Sequence, residues 1–146
     1  MSPDSSLQRW VLPSAEILTV GIPFCVFKLV TGLIAIESPF AVLGYVLVAL
    51  GALDLALNAG NLVALLVAHR RIGAVCTAEL ALRGELGLAV DVFVSFGLVA
   101  IVVGFGLIAR MPAWALPIWN LAVVLNVLGA GGGRLLASVR RVRVAP

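Results

Sequence analysis

Charged residues are scarce in this chain. Lys and Arg together number 10 and Asp and Glu number 7, so that charged residues make up 12% of the 146 positions. Hydrophobic residues make up 62%, and the mean hydropathy is +1.18. A soluble domain of this length cannot bury so much apolar surface in its core. The composition therefore excludes an ordinary soluble domain and indicates an integral membrane protein.

The residues that build catalytic and cofactor sites are also few. His69 is the only histidine, which excludes a bis-histidine haem within one chain. Cys25 and Cys76 lie on different predicted segments, and the sequence has no Cys-x-x-Cys motif and no cluster with metal-ligand spacing. Phosphate-binding loops and dinucleotide fingerprints are absent as well. We therefore expect no enzyme activity, no cofactor and no metal site.

Long apolar runs are what the chain does contain. A helix of roughly 20 residues crosses the hydrocarbon of a bilayer, and four runs of about that length or longer lie near residues 15–36, 40–68, 88–109 and 114–137. These runs lack the alternation of polar and apolar residues that is typical of membrane β-strands. The connections are too short for another domain. The sequence thus predicts a single domain over residues 1–146, an all-α four-helix transmembrane bundle.

The distribution of arginine predicts the orientation. Four spans place both termini and the central loop on one side of the membrane, and that side carries eight arginines: Arg9, Arg70, Arg71, Arg83, Arg134, Arg140, Arg141 and Arg143. The opposite side carries Arg110 in one of two tight outer hairpin turns. By the positive-inside rule both termini are cytoplasmic. We expect Arg140, Arg141 and Arg143 to contact anionic lipid headgroups, and no nucleic-acid partner.

Three local features carry further expectations. Pro23 predicts a kink in the first helix, because proline cannot donate a helical hydrogen bond. Trp114 and Trp119 lie at the outer start of the fourth helix, where we expect both rings in the membrane interface. A short interfacial helix is predicted between about Ile72 and Leu86.

A polar stripe interrupts the second apolar run. Asp54, Asn58 and Asn61 are spaced i, i+4 and i+7, which places them on one helical face. Such groups are costly in lipid and must face protein, water or a partner. Lys28 lies at a similar depth on the first helix, and we expect it to pair with Asp54. Asn126 on the fourth helix is a candidate fifth member of this intramembrane polar network.

A second charge pair is predicted near the inner boundary. Counting from the predicted helix ends places Asp91 and Arg134 close to that boundary, where they can pair. Small residues lie beside the polar groups on several helices, and such faces allow close helix packing in lipid. The candidate packing glycines are Gly21, Gly32, Gly44, Gly51, Gly129 and Gly133.

Two functions fit these features. The leading hypothesis is a non-catalytic subunit that packs into or stabilises a larger membrane complex, either with other subunits or with copies of itself. The alternative is a small transporter or ion-conducting oligomer, with Asp54 as the proton or cation site and Lys28 as its counter-charge. The polar residues can equally be structural, joining helices by hydrogen bonds. A hydrated cavity that reaches Asp54 would favour transport, and a dry packed core would favour a subunit.

Overall fold

The computed structural model describes residues 10–82 and 85–144, with the backbone alone described at residues 85, 99, 130 and 133–144. All regular elements within these ranges are helical, which confirms the all-α prediction. In chain order they are α1 (Leu12–Ile36), α2 (Ala41–Ala68), α3 (Thr77–Leu82), α4 (Glu85–Gly104), a 3-10 turn (Leu107–Arg110) and α5 (Ala115–Val144).

Three helices are long and apolar enough to cross a membrane: α1, α2 and the Leu86–Gly104 part of α4. The apolar part of α5, Ala115–Gly129, is shorter. Within the described residues, three to four helices therefore meet the length and composition of a membrane span.

The C-terminal ends of two helices differ from those predicted. The third apolar run ends as a helix at Gly104 and not near residue 109, because Gly106 adopts a left-handed conformation with φ of 64° and the chain continues as the 3-10 turn. The last helix continues to Val144, beyond the predicted end at 137. The predicted short helix between the second and third runs is α3.

Helix α1 is locally widened next to Pro23, where the sequence predicts a kink. Residues Ile17–Gly21 of α1 form a π-helical segment immediately before Ile22 and Pro23. The proline ring clashes with the carbonyl four residues earlier and supplies no N–H to it. A π segment widens the helix at this point and accommodates the ring.

Glycines bring α1 and α2 together. A Cβ atom added to Gly44 would lie 2.5 Å from the Ile36 backbone nitrogen, and one added to Gly32 would lie 2.9 Å from the Gly44 carbonyl oxygen. A Cβ on Gly51 would lie 3.2 Å from the Cys25 carbonyl oxygen. Backbone atoms cannot move aside as side chains do. The two helices therefore approach at a distance that only glycine permits along this face.

Two more glycines make similar contacts elsewhere. A Cβ on Gly129 of α5 would lie 2.6 Å from the Val20 side chain of α1, and a Cβ on Gly87 of α4 would overlap the backbone of α3 at Ala78 and Glu79. Thus α5 packs on α1, and α3 with the start of α4 forms a compact helical turn. Gly133 lies outside the described side chains.

The two ends of the bundle differ. At the loop end, where α1 starts and α2 stops, the Trp10 and His69 rings have centroids 5.3 Å apart. The hairpin end contains the α1–α2 and α4–α5 turns. The apolar core lies towards the hairpin end and comprises Phe27, Val30, Leu47, Leu98, Val102, Leu107, Ala115, Trp119 and Ala122.

Trp119 belongs to this core, and its expected place in the membrane interface is wrong. Its ring packs against Phe27 with centroids 5.7 Å apart, and its Nε1 donates a hydrogen bond of 3.1 Å to Thr31 Oγ1. The indole N–H therefore has a buried partner and needs no interfacial water. Trp114 is exposed.

Candidate functional site

The polar stripe of α2 binds a returning stretch of the chain's own backbone. Asp54, Asn58 and Asn61 are all buried, and each has a hydrogen-bond partner between Ile72 and Thr77, in the connection that follows α2. We call residues 72–77 the returning segment. It runs from the loop end back along α2 towards the middle of the bundle.

Asn61 holds the start of the returning segment. Its Oδ1 accepts hydrogen bonds from the backbone N–H groups of Ile72 (3.0 Å) and Gly73 (3.2 Å). Its Nδ2 donates to the Ala74 carbonyl oxygen at 2.8 Å. One side-chain amide thereby satisfies three consecutive residues of non-helical backbone.

Asn58 and Asp54 hold the rest of the segment. Asn58 Nδ2 donates to the Val75 carbonyl oxygen at 2.7 Å. Asp54 Oδ1 accepts from the Thr77 backbone N–H at 2.6 Å and from Thr77 Oγ1 at 2.8 Å. Non-helical backbone at membrane depth is tolerated only where protein or a water-filled cavity satisfies its polar groups. The i, i+4, i+7 spacing supplies those partners one turn at a time.

A buried charge cluster lies beside this segment. Lys28 Nζ donates to Asp54 Oδ2 at 2.6 Å and also to Asp91 Oδ1 of α4. The exposed fractions of the three side chains are 3%, 2% and 14% respectively. The ammonium also lies 5.0 Å from the centroid of the Phe24 ring. The cluster thus joins three helices through one cation and two carboxylates.

The geometry of α1 explains why Lys28 reaches both carboxylates. Side chains of a helix lean towards its N-terminus, so Lys28 extends towards the loop end. Asp54 lies near the middle of α2 and Asp91 about one third of the way along α4. All three charged groups therefore meet near the middle of the bundle, between the apolar core and the returning segment.

The other predicted polar residues are arranged differently. Asp91 contacts Lys28, whereas its expected partner Arg134 lies outside the described side chains, as do Arg140, Arg141 and Arg143. Asn126 donates to the Ala122 carbonyl oxygen of its own helix at 3.0 Å. Among the described residues, no hydrogen bond joins Asn126 to the stripe of α2.

A cavity of about 130 Å³ leads to the charge cluster. Its lining includes Glu16 and Arg71, an exposed ion pair with an N–O distance of 2.9 Å, and the buried residues Asp54 and Asn58. Asp91 also lines it. The rest of the wall is largely apolar and includes Ile17, Val20, Phe24, Leu88 and Val92. The cavity therefore extends from an exposed ion pair to the buried Asp54 carboxylate and the partly buried Asp91 carboxylate.

One feature of the cavity wall points to a ligand that donates hydrogen bonds. Asn58 Oδ1 is buried and has no hydrogen-bond partner among the described residues. It lies against Gly21, where a Cβ atom would overlap it, and both residues line the cavity. A buried amide oxygen without a partner costs about 1–3 kcal/mol, so a donor at this point would be stabilising.

Cys25 and Cys76 also line the cavity, and both are free and buried. Burial raises the pKa of the Cys76 thiol from 9.0 to about 11. At neutral pH it is therefore a protonated, weakly nucleophilic thiol. Cys76 supplies a chemical reporter of access to the cavity.

Thr77 and the returning segment are parts of the candidate site that the sequence did not predict. The Thr77 hydroxyl had no pattern to single it out, since one threonine between apolar residues is common. The sequence did contain one indication of the returning segment. Three buried polar side chains need several hydrogen-bond partners, and the non-helical stretch after Arg71 has backbone groups that can supply them. No protein-family model, curated protein or solved structure matches this chain.

Proposed function

We propose that this chain is a small membrane transport protein that takes up a proton or a monovalent cation at Lys28, Asp54 and Asp91. The observation that carries the proposal is the cavity that links the exposed Glu16–Arg71 pair to this cluster. An access route to buried ionisable groups in the middle of a helical bundle is what uptake from one side requires. A purely structural cluster has no need of one.

The charge balance of the cluster supports cation uptake. The described side chains that meet there carry one positive and two negative charges when all are ionised. A charge at the centre of a bilayer costs about 2.5–3.5 kcal/mol on insertion scales. The surplus carboxylate is therefore stabilised by a proton or by a bound monovalent cation. Asp91 is the candidate, because Asp54 is also held by Thr77.

The two ends of the bundle suggest how access is controlled. The loop end is reached through the cavity, while packed apolar side chains around Phe27, Leu98 and Trp119 close the route to the hairpin end. Release on that side requires these contacts to separate, including the bond between Trp119 and Thr31. With both termini cytoplasmic, as the positive-inside rule suggests, the cavity faces the cytoplasm.

Flux through reconstituted protein tests the proposal. Liposomes containing the protein and an internal dye sensitive to pH, or in a parallel set to sodium, are given a potassium diffusion potential, and the entry of protons and of sodium is recorded. We expect flux above that of protein-free liposomes and a loss of at least about tenfold in Asp91→Asn. Glu37→Gln makes the same chemical change at an exposed turn and should leave the flux unchanged. Flux that is absent, or equal in Asp91→Asn, contradicts the proposal.

A membrane-complex subunit is the second candidate. It is favoured by glycines on exposed helix faces: a Cβ added to Gly97 or Gly104 meets no atom within 4 Å. Outward-facing glycines allow another helix to approach closely. Purification in mild detergent tests this, with Gly97→Leu expected to release a partner that Val103→Leu retains. A monodisperse monomer without co-purifying protein contradicts it.

A further inference from the structure

The cavity combines a charged end with an apolar wall. Asp91 and Asn58 supply oxygen acceptors at the inner end, and Asn58 Oδ1 lacks a donor among the described residues. Ile17, Val20 and Leu88 supply an apolar surface on the way there. The one basic side chain in the described lining, Arg71, is paired with Glu16. A ligand for this space needs a cationic hydrogen-bond donor at one end and an apolar body at the other.

The size of the cavity limits the ligand further. An apolar cavity of about 150 Å³ holds one benzene molecule, so about 130 Å³ admits a molecule of some five or six non-hydrogen atoms. An inorganic cation would leave the apolar wall uncovered and would need several oxygen ligands at once. A primary ammonium ion has three donors on one nitrogen and suits the two acceptors.

We propose that the cavity binds a small primary alkylammonium ion, with the Asp91 carboxylate as counter-charge and Asn58 Oδ1 as a second acceptor. This inference rests on the proposed function, since it names the class of cation that the transport site takes. The ammonium group neutralises the surplus carboxylate of the cluster, and the alkyl chain lies along Ile17, Val20 and Leu88.

Calorimetric titration of the full-length protein in mild detergent tests this, with n-butylammonium as the probe and 1-butanol as its neutral counterpart. We expect saturable binding of one n-butylammonium per chain and at least tenfold weaker binding of 1-butanol. Asp91→Asn should weaken binding at least tenfold while keeping the Lys28–Asp54 pair, so that the fold is retained. Its melting temperature and helical circular dichroism check that point.

A pair of glycine variants distinguishes a change in the cavity wall from the general effect of adding a methyl group to a helix. Gly21→Ala places a methyl group where Asn58 Oδ1 lies and should weaken binding at least tenfold. Gly60→Ala has no atom within 4 Å of its added methyl group and should bind as the wild type does. Equal binding by the wild type, Asp91→Asn and Gly21→Ala overturns the inference, as does equal binding of 1-butanol.

The binding experiment and the flux assay test the two proposals separately. Proton flux that depends on Asp91, without n-butylammonium binding, overturns this inference and leaves the transport proposal in place. Binding that depends on Asp91, without flux of protons, sodium or n-butylammonium in liposomes, supports the assigned ligand class and removes the transport proposal.

Discussion

Asp54 on α2 accepts both the backbone N–H and the hydroxyl of Thr77, 23 residues later in the chain. The same carboxylate accepts from Lys28 through its other oxygen. Asp54 therefore joins the returning segment to the charge cluster. Because both Thr77 and Lys28 hydrogen-bond to Asp54, a substitution at either residue alters the hydrogen bonding of the other.

Replacing Lys28 should destabilise the protein severely. Lys28→Met leaves Asp54 and Asp91 buried beside each other without their cation, and removing one partner of a buried ion pair costs about 3–5 kcal/mol. We expect loss of the monodisperse peak in size-exclusion chromatography of a fluorescent fusion. Arg71→Met breaks an exposed pair, worth at most about 1 kcal/mol, and should express normally. Normal expression of Lys28→Met would show that the cluster does not stabilise the fold.

Removing the Thr77 hydroxyl should loosen the returning segment. Thr77→Val keeps the side-chain shape and the backbone N–H but loses one hydrogen bond to a carboxylate, worth about 1.5–3 kcal/mol. The expected result is a lower melting temperature. In Thr19→Val the lost bond is an exposed one to Ala15 of the same helix, and the melting temperature should fall less. Equal losses in the two variants would count against a special role for Thr77.

Close packing of α1 on α2 should make Gly44 intolerant of alanine. The added methyl group of Gly44→Ala would lie 2.5–2.7 Å from backbone atoms of α1, and overpacking of this kind costs about 1–3 kcal/mol. Gly60→Ala on the same helix meets nothing and gains helix propensity, so its melting temperature should equal or exceed that of the wild type. A Gly44→Ala protein as stable as Gly60→Ala would show that the helices can separate freely.

Cys76 should react slowly with maleimide in a Cys25→Ser background. With its pKa raised from 9.0 to about 11 by burial, its thiolate fraction at pH 8 is about 100-fold below that of an ordinary cysteine. The thiolate fraction increases with pH up to this pKa, so the labelling rate should rise steeply from pH 8 to 10.

Releasing the returning segment should expose this thiol. Asn61→Ala removes the hydrogen bonds to Ile72, Gly73 and Ala74, and we expect labelling at pH 8 to be at least tenfold faster. Asn126→Ala, whose amide bonds within its own helix, should leave the rate unchanged. Fast labelling of the Cys25→Ser protein before any further change would contradict the buried position of Cys76.

The helices and the polar face of α2 were accessible from the sequence, because both depend on local periodicity. The identity of the segment that packs on that face, residues 72–77, was not accessible from the sequence. The spacing of Asp54, Asn58 and Asn61 identifies which side of α2 is polar, but their partners are backbone groups, which carry no sequence signal of their own.

The expected position of Asp91 shows a second limit. Counting from a predicted helix start at residue 88 placed Asp91 one turn from the membrane boundary. The chain before α4 returns along α2, and α4 begins at Glu85, three residues before the predicted start. In this arrangement Asp91 lies within reach of Lys28. A helix start read from the sequence therefore does not identify which charged side chain of a neighbouring helix a residue meets.

The glycine contacts between α1 and α2 have a consequence for biosynthesis. Helices α1 and α2 leave the ribosome before α4, and their close contact can bring Lys28 and Asp54 together before α4 is made. The first hairpin can therefore enter the bilayer with its opposite charges already matched. The unmatched carboxylate arrives only with α4, so assembly of the charge cluster is completed by the third span and not by the first two.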